Sequence, residues 1–181
     1  MSGGQIAALA AAAVLVLWMV GAYNRLVALR NVIKQAWAKV DDALHLRAAA
    51  AVPLLEALRG PLAAEQGALD RLQAAQQEAA RAAVVMGGLP VVPAHASTWV
   101  MCEAALAAAA SRVFALVESS DEVRQAPDVQ SQATLWREAQ GRLVFARQLF
   151  NEAAEEYNAA IALFPTRLLV PMFRFGPAGR L

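Results

Sequence analysis

Apolar and polar positions divide the chain before any composition is counted. From Ile6 to Ala22 the residues read Ile-Ala-Ala-Leu-Ala-Ala-Ala-Ala-Val-Leu-Val-Leu-Trp-Met-Val-Gly-Ala, without one charged side chain. As an α-helix this segment rises about 25 Å, the short end of what crosses a bilayer core. Trp18 and Tyr23 stand towards its C-terminal boundary, where aromatic rings bridge apolar and wet surroundings. Beyond it Leu26, Leu29, Ile33, Trp37, Val40 and Leu44 recur at helical steps, so the stripe carries the same helix onward to about Leu58. Pro53 is its one interruption, where a missing backbone donor is expected to kink the rod. Gly60 and Pro61 then read as a terminator and a new start.

Three further helices follow from the same reading. The second runs from about Pro61 to Val85 through Leu62, Leu69 and Leu72, and ends in a loop, Met86 to Ser97, that holds Gly87, Gly88, Pro90 and Pro93. Ser97 or Thr98 is placed to cap the third, about Thr98 to Ser119, which packs through Leu106, Val113, Phe114 and Val117. A polar connection, Ser120 to Ser131, leads to the fourth, about Gln132 to Phe164, with Trp136, Leu143, Phe150 and Ala154 near one face. The expected architecture is all-α: an antiparallel up-down four-helix bundle whose first helix extends into an N-terminal transmembrane anchor. The corresponding divisions are a short segment 1–5, a transmembrane helix 6–22, a bundle 23–165, and an apolar, basic tail 166–181.

Two rivals compete for the first segment. A cleaved signal peptide calls for a basic n-region, which Met1-Ser2-Gly3-Gly4-Gln5 lacks, although Val20-Gly21-Ala22 resembles a cleavage site. A buried soluble helix is the other. A retained anchor is the stronger reading. Arg25, Arg30, Lys34 and Lys39 follow the span and no basic side chain precedes it, which points to an outside N-terminus and a cytoplasmic bundle.

Composition narrows the chemistry. Apolar residues make up 59% of the 181 and charged residues 17%, and the formal net charge is +1, which offers nucleic acid no attractive field. Cys102 is the one cysteine, so no intrachain disulfide or thiolate metal site is expected, and a small core residue is its simplest role. A di-iron bundle needs two Glu-x-x-His pairs, but the only histidines are His45, three residues after Asp42, and His95, three after Val92. Asp42 with His45 reads as a solvated helix pair. Met86-Gly87-Gly88-Leu89-Pro90 lacks the Lys and Ser/Thr of a phosphate loop, and no nucleophile elbow or zinc helix is present. No enzyme and no cofactor is expected.

Asn24 and Asn31 lie seven apart near the start of the first helix, and Asn151 and Asn158 lie seven apart near the end of the last. Each pair shares a helix face, and antiparallel packing brings all four to one end. They form either a polar seam pairing the two helices, which Arg30, Asp41, Arg47 and Arg147 could join, or four exposed amides.

These residues also carry a family resemblance. Tyr23-Asn24-x-Leu26-Val27-x-Leu29-Arg30-Asn31, Ala36-Trp37-x-x-Val40-Asp41, Leu44, Arg47 and Pro53 form one block. Ala146-Arg147-x-x-Phe150-Asn151, Tyr157-Asn158, Phe164-Pro165 and Phe173-Arg174-Phe175-Gly176 form the others. In this order the chain resembles the LemA family of bacterial membrane-anchored helical proteins. It departs from the family at Ala49 and Leu54 (usually Asp and Asn), at Gln140-Gly141 (usually Glu-Asn), at Phe150 (usually Tyr) and in its ending at Leu181. The resemblance implies a bacterial cell membrane location and no particular reaction.

The tail remains. Arg167, Phe173, Arg174 and Phe175 either lie in the membrane interface beside the anchor or fold back across the base of the bundle. The expected function is a non-enzymatic scaffold or protein-interaction module on the lipid bilayer, with membrane or cytoplasmic proteins as partners. The alternative is a structural protein that forms homo-oligomers or organises lipid.

Overall fold

A computed structural model describes residues 2–181 and places four long helices and two short ones along the chain. They are α1 (Gly3–Arg59), α2 (Gln66–Gly88), α3 (Pro93–Glu118), α4 (Asp121–Gln125), α5 (Pro127–Ala162) and α6 (Leu169–Met172), with single 3-10 turns at Ala63–Glu65 and Thr166–Leu168. Among the described residues there is no strand. Antiparallel order is visible in the contacts. Trp37 meets Phe150 while Arg47 meets Gln140, so α5 runs down as α1 runs up. Phe114 likewise meets Trp136 and Arg147 lies over Trp99, so α5 also opposes α3. The most extensive packing joins α1 to α5 and α2 to α3, with α1 on α2 next.

α1 is 57 residues long, about 85 Å as a straight helix. Residues 2–17 are all exposed, and the first buried side chain is Leu26. The rod thus has a bare apolar half and a half bedded in the bundle, which is compatible with membrane anchoring. By length and composition α3 could cross a membrane too; one stripe of it, with Trp99, Leu106 and Val113, is buried against its neighbours.

Several expected boundaries move. The helical pattern continues through Pro53, which is exposed, so water can satisfy the Ala49 carbonyl while Leu54, Leu55 and Leu58 hold the turn from beneath. Gly60 keeps a right-handed conformation at φ −71°, and Pro61 opens no helix; buried Leu62 pins the turn and α2 begins at Gln66. The expected loop at Met86 shrinks to Leu89–Val92. Met86 is fully buried, and a side chain at Gly87 would come within 3.0 Å of the Trp37 indole nitrogen. Both residues therefore serve close packing of α2 on α1. Pro93 starts α3, so Ser97 and Thr98 cap nothing and bond back to the Ala94 carbonyl. The connection before α5 holds α4, capped by the Ser120 hydroxyl and anchored by buried Val123, and Pro127 starts α5.

Candidate functional site

The apolar interior falls into two clusters. One contains Leu26, Trp37, Trp99, Phe150 and Tyr157 at the anchor end, and the other contains Leu58, Leu72, Val113 and Trp136 at the far end. Between them lies a polar layer. Arg47 follows Leu44 on the α1 stripe, and Glu103 sits between Trp99 and Leu106 on that of α3. The Arg47 guanidinium donates to both Glu103 oxygens, at 2.7 and 2.6 Å, and to the Gln140 carbonyl at 3.1 Å. Arg47 is 2% exposed and Glu103 6%. The guanidinium also stands 5.8 Å from the Trp136 ring centre. The two-pronged pair sets two charge-assisted hydrogen bonds against the desolvation of both charges and links α1 to α3, while the buried Arg47 Nε has no partner among the described residues.

This pair reaches the wall of a groove between α3 and α5 that holds about 670 Å³. Its sides are mostly small or apolar: Leu106, Ala107, Ala110 and Ala115 from α3, and Trp136, Gly141 and Val144 from α5. At its lower lip Arg137 lies over the Phe114 ring and 3.7 Å from Glu118. Both lining carboxylates are thus engaged by arginines.

The other half of the space between α3 and α5 is filled. From Phe175 to Leu181 the chain turns back as an extended strap antiparallel to α5. Tyr157 donates to the Gly176 carbonyl at 2.9 Å, and Arg30 donates to the Tyr157 oxygen at 3.2 Å. The Asn158 side chain accepts from the Ala178 amide at 2.7 Å and donates to its carbonyl at 3.0 Å. Asn151 does the same for Leu181, accepting at 2.7 Å and donating at 2.8 Å. A primary amide presents one donor and one acceptor side by side, which is what one residue of extended backbone requires. Gly179 lies so close to the start of α3 that a Cβ would fall 2.6 Å from Ala96 Cβ and 2.9 Å from Pro93 Cα.

The four asparagines therefore do not make one seam. Asn24 and Asn31 are exposed on α1, off the stripe that faces α5, while Asn151 and Asn158 clamp the strap. Of the other polar candidates, Arg30 stands 4.4 Å over the Phe175 ring and Arg147 5.4 Å over Trp99. His45 pairs with Asp41, one turn before it, and not with Asp42. Cys102 is half-buried between the two core clusters. Of the four tail residues, Phe175 is buried beneath Arg30, and Arg167, Phe173 and Arg174 remain exposed.

Sequence reading missed Glu103 and offered Arg47 only as one residue that could join the asparagine seam. The available signal was position: each interrupts an apolar stripe at a helical step, on two different helices. No sequence pattern pointed to the groove, because alanine walls look the same facing a partner or facing solvent.

Comparison with protein families matches residues 36–180 to the LemA family. Comparison with curated proteins gives no match. The matched stretch takes in the polar layer, the groove and nearly all of the strap, and with that match over most of its length the chain belongs to the LemA family.

Proposed function

We propose that this protein is a membrane-anchored, non-enzymatic interaction module that receives an apolar helix of a partner protein in the groove between α3 and α5. The observation that carries the reading is the unequal filling of that space: the strap closes one half, and among the described residues nothing closes the other. Ala107, Ala110 and Gly141 leave room for a partner backbone to approach closely, and the apolar walls suit an amphipathic or membrane helix. The buried Glu103, held by two hydrogen bonds from Arg47, supports a structural place for this carboxylate in the groove wall. The exposed apolar half of α1 serves as a single-pass anchor. Its basic C-terminal flank favours a cytoplasmic bundle with the N-terminus outside.

Crosslinking tests the groove. A photoreactive benzophenone residue at Ala107 or Gly141 of the full chain is irradiated in native membranes, and the adducts are identified by mass spectrometry. Adducts with a helix of another protein are expected. Adducts with this chain alone favour the second reading, a homo-oligomer in which another copy fills the groove, and no adduct refutes docking there. Orientation is checked separately with an impermeant thiol reagent. Ser2→Cys should react in intact cells and Glu122→Cys only after permeabilisation; the reverse pattern overturns the orientation.

A further inference from the structure

The segment between the end of α5 and the strap touches the anchor-end core through Val170 and otherwise lies outside both cores. Residues 163–174 form an elbow on the flank of α1. Phe173 meets the Tyr23 ring at a tilt of 55° with ring centres 5.0 Å apart, and Leu169 is buried in the elbow's inner side. Trp18, Met19 and Ala22 are half-covered, whereas every described residue from 2 to 17 is bare. This places the elbow beside the C-terminal boundary of the apolar segment. Its outer side is unusual for a surface turn. Leu163, Phe164, Leu168 and Met172 all point away from the bundle, with Phe164 77% exposed, and Arg167 and Arg174 stand among them.

We infer that the elbow is a membrane-interface foot: its apolar side chains enter the headgroup–acyl boundary of a phospholipid leaflet, and Arg167 and Arg174 sit at the level of the phosphates. The inference rests on the anchor reading of α1 and deepens it. Continuity identifies the occupant. The elbow adjoins the apolar half of α1 at the level where that half gives way to Tyr23 and Arg25, so one plane of lipid headgroups meets both. Apolar side chains interspersed with arginine are also the composition that settles in this boundary and not in the hydrocarbon centre. With α1 as the axle and the foot beside it, the bundle is held at a set tilt and height above the bilayer. The groove between α3 and α5 is then kept at a fixed distance from the lipid. The tail residues accordingly divide: Phe175 belongs to the strap, and Arg167, Phe173 and Arg174 belong to the foot.

Spin labels on the full chain test this. In a Cys102→Ser background, single labels at Phe164→Cys and Leu168→Cys are compared with Val14→Cys in the anchor and Glu122→Cys at the far end. The chain is reconstituted in vesicles of phosphatidylcholine and phosphatidylglycerol, and the ratio of oxygen to nickel-chelate accessibility reads depth. All four positions are exposed, so the labels disturb no packing. Phe164 and Leu168 are expected to give ratios several-fold above Glu122 and below Val14, at about 5–10 Å into the interface. Ratios equal to that of Glu122, with Val14 in lipid, overturn the foot and leave the anchor standing. A Val14 ratio equal to that of Glu122 overturns the anchor and the foot with it.

Discussion

Removing the Glu103 charge is the sharpest test of how the bundle is held. In Glu103→Gln the side chain keeps its shape, but the Arg47 guanidinium, 2% exposed, loses its counter-ion. Its remaining acceptors are neutral amide carbonyls, that of Gln140 and the single oxygen the new glutamine keeps, while the glutamine NH2 faces the guanidinium where the second carboxylate oxygen had been. Breaking a buried pair from one side costs about 3–5 kcal/mol, because the stranded charge stays desolvated. The groove beside the pair admits water, which relaxes the freed charge and sets the expectation at the lower end, about 3 kcal/mol. At a urea dependence of about 2 kcal/mol per molar, the midpoint falls by roughly 1.5 M. The double variant Arg47→Met, Glu103→Met removes both charges and joins the two core clusters through apolar contacts. It should regain most of the loss, as such replacements are neutral or stabilising by about 1–4 kcal/mol. The assay is tryptophan emission of the detergent-solubilised full chain, with Trp18→Phe to silence the anchor. Trp37, Trp99 and Trp136, all buried in the folded chain, then report unfolding together, with Trp136 beside Arg47. A Glu103→Gln loss below about 0.5 kcal/mol, the size of a surface change, refutes the buried-charge argument. A double variant as unstable as the single variants Arg47→Met and Glu103→Met added together refutes the coupling.

The strap makes its own predictions. Asn158→Ala deletes two bonds to Ala178 and should cost about 1–3 kcal/mol locally, read as faster amide hydrogen exchange at Ala178, whereas Asn24→Ala and Asn31→Ala should stay within about 0.5 kcal/mol. Equal effects at all four positions would restore a single seam. Gly179→Ala forces its Cβ against Ala96 and Pro93, so the strap should lift from α3, at about 1–3 kcal/mol, and be cleaved sooner in limited proteolysis; unchanged cleavage would contradict the close approach. Pro53→Ala restores a helical donor at an exposed site, so its urea midpoint should rise by up to about 3 kcal/mol of stability divided by the urea slope, and a fall would show that the ring packs.

How much was legible in advance follows from which forces act locally. The apolar run Ile6 to Ala22, the stripe from Leu26 to Leu44 and its continuity on one helix all appear as recorded in the structure, because helical periodicity is a property of neighbouring residues. The four-helix order likewise followed from breaks at Gly60-Pro61, near Pro90 and near Pro127. Exact ends were less legible. Met86 and Gly87 looked like the start of a loop because glycine beside proline usually is one, yet the nearness of Trp37 on another helix kept them helical.

Sequence alone thus determined the helical class, the apolar half of α1 and the faces that each helix buries. Only the tertiary structure decided what the polar residues do. Arg47 and Glu103 are 56 positions apart, and Asn151 and Leu181 are 30 apart. Whether such groups meet depends on the rotation and register of packed helices, which no local pattern encodes. Asparagines at equal spacing could therefore face solvent on α1 and grip a returning strap on α5. The same holds for the groove, since an alanine face becomes a site only where the neighbouring helix stands away from it.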